Sequence, residues 1–210
     1  MIRKLRWIVE LGEWISCEVS MLASQMVLPR IGYLEQVLHI FSYLWSHLYV
    51  EMIFNPSVPE FDMNLTFTRE DWSDTAYGDI KEELTHNMPE IRGFGFKIVI
   101  YVDSDHAGDN ITHHSRIGFN VLLNSSPIYW TSKKQTSIET STFGSEFIAL
   151  KTACEYSRGL QNKLKMMGIP CDFPTLIFGD NKSVLTNSSV PDSVLRKKSS
   201  HIAYSFVCEG

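Results

Sequence analysis

The chain has 210 residues, of which 44% are hydrophobic and 20% are charged, proportions that are ordinary for a globular protein with a buried core. Its formal net charge of −5 argues against a surface that binds nucleic acid everywhere, although a local basic patch stays possible. No apolar run approaches the ~20 residues of a membrane helix, and Glu10 and Glu13 interrupt the segment after the basic N-terminus, so neither a membrane segment nor a signal peptide is predicted.

Residues 1–54 are predicted to form a helical segment. Apolar side chains recur at spacings of three and four from Leu34 to Leu48, which is the pattern of one apolar helix face. The stretch from Trp7 to Ala23 is also compatible with a helix, with Gly12 as its weak point.

Residues 55–96 are rich in proline, glycine and acidic residues, and the acidic residues do not have the spacing of metal ligands. These residues are predicted to form an irregular connecting segment.

From residue 97 the pattern changes to short strands. Three runs rich in β-branched and aromatic residues, Lys97 to Val102, Ile117 to Leu123 and Ile128 to Ser132, are separated by short turns. A weaker strand candidate lies at Thr136 to Thr140. Short connections favour antiparallel pairing, so the first three strands are predicted to form a meander.

A long helix is predicted to follow the meander. Ser141 or Thr142 can cap its N-terminus, and Gly168 can end it. The run from Thr175 to Gly179 then predicts a further strand, with another helix starting near Asn181. A strand that returns after a helix is expected to pair in parallel with the first strand.

Three acids occupy the ends of these elements. Asp103 follows the first strand, Glu146 lies in the first turn of the long helix, and Asp180 follows the strand after it. If the first and last strands are neighbours, all three carboxylates converge. Such a cluster is unfavourable without a cation, and Mg²⁺ prefers oxygen ligands. We therefore expect these acids to be metal ligands and catalytic residues, with two Mg²⁺ ions, or Mn²⁺, supporting phosphodiester hydrolysis.

Three stretches, YVDSDHAGDNITHHSRIGF, PIYWTSKKQTSIETSTFGSEFIALKTA and IFGDNKSVL, together resemble the ribonuclease H domain of copia-type LTR retrotransposon polyproteins. Upstream, LRWIVELGEW, EVSMLAS and PRIGYLEQVLHIFSYL resemble the segment that joins the reverse transcriptase to its ribonuclease H. The resemblance divides the chain into a reverse-transcriptase-tail segment (1–54), the connecting segment (55–96) and a ribonuclease H-like domain (97–210).

The resemblance implies a mixed α/β (α+β) fold with a ribonuclease H-like sheet, the first three strands antiparallel, helices flanking it and a helical N-terminal extension. It implies metal-dependent hydrolysis of the RNA strand of RNA–DNA hybrids, and it matches Asp103, Glu146 and Asp180 to three of four family acids. The fourth acid and a fifth strand would come after Gly210, so we expect a truncated copy with impaired activity, in which the strand at Thr175 to Gly179 lies at the edge of the sheet.

The resemblance also implies partners and a location. The substrate would be an RNA–DNA hybrid, held by phosphate contacts for which the candidates are basic residues: Lys133, Lys134, Arg196, Lys197 and Lys198. The reverse transcriptase domain of the parent polyprotein would be a protein partner, no membrane would be involved, and the location would be intracellular, in a cytoplasmic particle or the nucleus.

Two other functions fit the same sequence. The chain could be a non-catalytic module, either a connection-like subdomain or a fragment of a decayed element without enzymatic role, and the unmatched fourth acid favours this. An integrase-like transferase also uses a cluster of three acids on this fold. The order of the acids here, with the glutamate second, argues against the integrase alternative.

Overall fold

The structure, a computed structural model, describes residues 1–61, 73–74, 87–109, 112–171, 173–189 and 207. Its regular elements in chain order are α1 (Ile2–Val9), a 3₁₀ turn (Glu13–Ile15), α2 (Ser16–Ser24), α3 (Ile31–Ser46), β1 (Ile98–Asp105), β2 (Arg116–Leu123), β3 (Ser126–Lys134), α4 (Thr142–Met166), β4 (Leu176–Phe178) and α5 (Lys182–Ser189). In this described part of the chain, no helix is long and apolar enough to cross a membrane.

The strands form a four-stranded mixed sheet in the order β3-β2-β1-β4. Strands β1, β2 and β3 pair antiparallel, and β4 pairs in parallel with β1, with Tyr101 opposite Phe178. The predicted α/β fold is therefore confirmed, with the strand directions that the ribonuclease H resemblance implies. Strand β4 lies at the edge of the sheet as described, also as predicted.

The core of the sheet lies between its strands and α4. Alternate residues of β1, Ile98, Ile100 and Val102, are buried against the helix residues Ala149 and Ala153. Because side chains alternate across a strand, the residues between them face the other side of the sheet. The small alanines let the helix lie close to the strands, and this fixes which helix positions reach the end of β1.

Local signals set both ends of α4. The Ser141 hydroxyl oxygen accepts a hydrogen bond from the backbone N–H of Gly144 at 3.2 Å, which confirms one of the two predicted caps. Gly168 follows the last turn with a φ of +74°, and Ile169 N–H donates to the Leu164 carbonyl at 3.0 Å. This is the helix-ending geometry that favours glycine, so the predicted end of the helix is confirmed.

The N-terminal helices form a second apolar cluster that includes Leu5, Val19 and Ile40. The sheet holds this unit by side-chain hydrogen bonds, including the Trp130 indole N–H to the Val9 carbonyl at 2.7 Å. The helix considered for Trp7 to Ala23 is interrupted between α1 and α2, as the weak point at Gly12 suggested. The division into domains at residues 54 and 96 stays a prediction.

Two sequence-based assignments are wrong in detail. Residues Thr136 to Thr140 do not form a strand, because the side chain of Gln135 donates to the carbonyl of Ser145 at 2.9 Å and turns the chain toward the start of α4. Strand β1 extends to Asp105 because its pairing with β2 continues to the Asp105–Arg116 pair. Asp103 therefore lies within the strand and not after it.

Two glycines of the α4 region give opposite predictions. A Cβ at Gly168 would lie 2.8 Å from the Glu90 carbonyl oxygen at a positive φ, so Gly168→Ala should lower the free energy of unfolding by about 1–2 kcal/mol. Gly159 is an exposed helix residue with open space around it, so Gly159→Ala should raise it by up to about 1 kcal/mol. Urea unfolding of both variants checks this, and shifts of the same sign would contradict it.

Candidate metal centre

The parallel pairing of β1 and β4 brings two of the predicted acids together. Val99 pairs with Leu176 and Tyr101 with Phe178, so the same register places Asp103 beside Asp180. Asn181 caps the next helix, because its side-chain oxygen accepts the backbone N–H of Val184 at 3.1 Å. Asp180 is thus fixed between the end of a strand and a capped helix start.

Glu146 reaches the same point from α4. It begins the second turn of this helix, one turn further in than the sequence predicted. Its neighbours Phe147 and Leu150 are buried and hold the helix against Val184 of α5. The backbone N–H of Ser104 hydrogen-bonds the Glu146 carboxylate, which ties the helix residue to β1.

The three carboxylates converge closely. One oxygen from each of Asp103, Glu146 and Asp180 lies within 4.8 Å of the other two. Two oxygens on opposite sides of a Mg²⁺ ion are about 4.2 Å apart, since each Mg–O distance is about 2.1 Å. Small side-chain rotations would therefore bring the oxygens into range of one ion, and the all-oxygen donor set suits a hard divalent cation.

The electrostatics of the cluster support the same view. The pKa of Glu146 rises from an ordinary value of 4.5 to about 7. Burial is the main cause, followed by the negative charges of Asp180 and then Asp103, while the hydrogen bond from Ser104 lowers it. Without a cation, the cluster therefore holds a proton near neutral pH, and a bound cation would replace that proton.

A groove of about 790 Å³ runs beside the acids on the face of the sheet opposite α4. Asp103 and Asp180 line it together with the aromatic residues Tyr101, Trp130 and Phe178. The rings of Tyr101 and Phe178 stack with centroids 5.3 Å apart. The carboxylates of Asp103 and Asp180 are thus open to a large ligand and have a wall of flat apolar surface next to them.

The predicted phosphate contacts are only partly described. Lys133 is exposed on β3. The Lys134 ammonium lies 3.1 Å from the Asp109 carboxylate and 2.8 Å from the Thr112 hydroxyl, so its charge is already paired. The other three candidates, Arg196, Lys197 and Lys198, lie outside the described residues.

Sequence reasoning missed the role of Ser104. Its backbone N–H contacts the carboxylates of both Asp103, at 2.8 Å, and Glu146. A main-chain donor leaves no trace in residue identity, so only the folded geometry can reveal it. Asn181 was noted without a role, although an asparagine before a helix is a recognisable capping signal.

Comparison with known proteins adds a sequence relationship. The chain is 28% identical over 115 residues to the retrovirus-related Pol polyprotein from transposon RE2 of Arabidopsis thaliana. It is 28% identical over 116 residues to the polyprotein from transposon RE1 of the same plant. The chain is similar to a segment of retrotransposon Pol polyproteins. These alignments cover 55% of the chain and 8% of each Pol polyprotein, so it spans a small part of these relatives.

Two further comparisons accompany the Pol relatives. The secreted RxLR effector protein 161 of Plasmopara viticola is 34% identical over 71 residues, which are 34% of the chain and 50% of the effector. LC11-RNase H1, isolated from compost by a metagenomic approach, aligns with 52% of the chain and 71% of its own at 18% identity and a TM-score of 0.40. No family model matches the chain.

The raised pKa of Glu146 predicts that cation binding depends on pH. Protons and cations compete for this carboxylate, and with a pKa of about 7 the deprotonated fraction falls from roughly nine tenths at pH 8 to one tenth at pH 6. The apparent Mn²⁺ affinity, measured by isothermal titration calorimetry, should therefore fall about tenfold between these values.

The Glu146→Gln variant is the control for this titration. Glutamine keeps the shape of the side chain and removes the proton that competes with the metal. Its weaker Mn²⁺ binding should change much less between pH 8 and pH 6. An equal loss of affinity in both proteins would show that another group controls the pH dependence.

Proposed function

We propose that the chain carries out metal-dependent hydrolysis of the RNA strand of RNA–DNA hybrids, as the ribonuclease H of a copia-type retrotransposon polyprotein during reverse transcription. The observation that carries the proposal is the convergence of the Asp103, Glu146 and Asp180 carboxylates within 4.8 Å at the end of the sheet. Two further observations support it: the sequence similarity to retrotransposon Pol polyproteins and the strand order of the sheet.

In this proposal the three acids are the metal ligands. Asp103 and Asp180 are placed by neighbouring strands, and Glu146 by a helix packed on the same sheet, so the ligand geometry is set by rigid backbone. Bound Mg²⁺ or Mn²⁺ would make water a stronger nucleophile and stabilise the leaving oxygen of a phosphodiester. The chain's own contribution is to hold the ligands, to keep Glu146 oriented through Ser104, and to leave the site open to a polymer.

The rest of the site suits a nucleic acid. The aromatic groove beside Asp103 offers surface for sugar or base contacts, and Lys133 on β3 is an exposed cation. The partners would be an RNA–DNA hybrid and the reverse transcriptase domain of the same polyprotein. The reaction would take place inside the cell, in a cytoplasmic particle or in the nucleus.

Hydrolysis of a labelled RNA–DNA hybrid tests the proposal. The wild-type chain should cleave the RNA strand slowly with Mg²⁺ or Mn²⁺, because it matches three of the four family acids, and should not cleave it with EDTA. Asp103→Asn should lower the rate by roughly two to three decades, because it removes one of the three carboxylates that would hold the cation. The measurement is the initial rate of product formation on a denaturing gel.

Asp105→Asn is the matched control. Asp105 lies two residues along the same strand and is an exposed aspartate outside the three-carboxylate cluster, so the same chemical change there should leave the rate within a few-fold. Absence of cleavage by the wild-type chain, with Mn²⁺ binding intact, would contradict the enzymatic proposal and favour the non-catalytic module.

A further inference from the structure

A second polar cleft lies between the N-terminal helices and the sheet. Its volume is about 460 Å³, and it is lined by α1, α2, β2 and β3. The serines of α2 that line it, Ser16, Ser20 and Ser24, are four residues apart and so form one hydroxyl face of the helix. Four basic side chains surround this face: Arg6, Arg116, Lys133 and Lys134. The acidic residue Glu10 also lines it. We call this cleft the Arg116 cleft.

Arg116 has an unusual environment for a cation. It is only 6% exposed, and its guanidinium donates to the hydroxyl oxygens of Ser20 at 2.6 Å and Ser24 at 3.2 Å. No ion pair found among the described residues includes Arg116. Neutral hydroxyls accept from two of its five N–H groups, and its strand partner Asp105 forms no ion pair with it among the described residues. A buried guanidinium that is not in a direct ion pair favours an anion as a further hydrogen-bond partner.

The basic residues at the mouth of the cleft strengthen this preference. Arg6 and Lys133 are exposed, and within the described ranges neither takes part in an ion pair. Lys134 is paired with Asp109 and adds less. A planar guanidinium with free N–H donors and two flexible cations nearby is an arrangement that binds a phosphate group, because guanidinium and phosphate form paired, charge-assisted hydrogen bonds.

The cleft is continuous with the candidate metal centre. Arg116 also lines the aromatic groove that contains Asp103 and Asp180. Asp105 is the strand partner of Arg116, which makes Asp103 its diagonal neighbour on the same face of the sheet, with a separation of about 7–8 Å between backbone positions. A polymer with phosphates at regular spacing can therefore contact the acids and Arg116 at once.

We propose that the Arg116 cleft binds a backbone phosphate of the nucleic-acid strand whose neighbouring part lies at the three carboxylates. The site is completed by the N-terminal helices, since Ser20, Ser24 and Arg6 all belong to them. These helices are thus part of the nucleic-acid-binding surface and position Arg116 for it. This inference rests on the proposed function, because it takes the polymer at the acids to be a nucleic acid.

Binding without catalysis tests the inference. The full chain is titrated onto a fluorescent RNA–DNA hybrid in EDTA at several salt concentrations, and fluorescence anisotropy reports the affinity. Arg116→Met removes the charge and keeps a long apolar side chain, and it should weaken binding roughly tenfold or more. Lys133→Gln should weaken binding several-fold and lower the slope of log affinity against log salt by about one.

Lys163→Gln is the matched control, because Lys163 is an exposed lysine of α4, the helix on the opposite face of the sheet. It should bind as the wild type does. Equal affinities of the wild type and Lys133→Gln, or an equal loss in Lys163→Gln, would overturn the inference. The inference would also be overturned if Arg116→Met showed a cooperative thermal unfolding transition, as a folded protein does, and still bound the hybrid normally.

Two additional experiments are needed. One distinguishes free phosphate from a nucleic-acid phosphate as the bound anion, and the other separates the phosphate site from the proposed hydrolysis. Inorganic phosphate should compete with the hybrid only at far higher concentration. If Arg116 were needed to bind phosphate alone, and Arg116→Met bound the hybrid normally, the inference that the cleft binds a nucleic-acid phosphate would be overturned. Asp103→Asn should lose hydrolysis and keep Arg116-dependent binding. If the wild type fails to hydrolyse the hybrid but binds it through Arg116, the phosphate site stands and the proposed enzymatic function fails.

Discussion

The parallel pairing of β1 with β4 is the contact on which the candidate site depends. It consists of only three residue pairs, yet it alone sets Asp180 beside Asp103. The pairing is supported from one face of the sheet, where α4 buries the inner side of β1, and from the end of β4, where the capped helix α5 begins. The same packing of α4 brings Glu146 to the other two acids, so one small set of contacts determines the whole carboxylate cluster.

The clustering of the three carboxylates makes the stability of the fold depend on pH. The pKa of Glu146 is about 7 in the native state against an ordinary 4.5, so between these values the native state binds more protons than the unfolded chain. Its free energy of unfolding therefore falls as the pH rises through that range. Burial of Glu146 is the main cause, followed by the negative charges of Asp180 and Asp103. A cation bound by the three carboxylates would reverse the effect.

Local signals made much of the fold predictable from sequence. Ser141 and Gly168 mark helix ends through chemistry that acts within a few residues, and runs of β-branched and aromatic residues between short turns identified β1 to β3. The acids were found because the sequence placed each near the end or the start of a regular element, although Asp103 lies within β1 and Glu146 begins the second turn of α4. What the sequence could not supply is long-range: the Ser104 backbone contact, the turn of Thr136 to Thr140 toward α4, and the burial of Arg116 against α2, which depends on residues more than 90 positions away.

The central claim is that Asp103, Glu146 and Asp180 form one cation site. Anomalous diffraction from crystals of the protein soaked in Mn²⁺ at pH 8 tests it most directly, because the peak locates the ion without reference to activity. The account predicts an anomalous peak within about 2.2–2.5 Å of oxygens from all three carboxylates, a range set by typical distances between divalent cations and oxygen. Bound Mn²⁺ elsewhere in the crystal, with none between these three side chains, would contradict it.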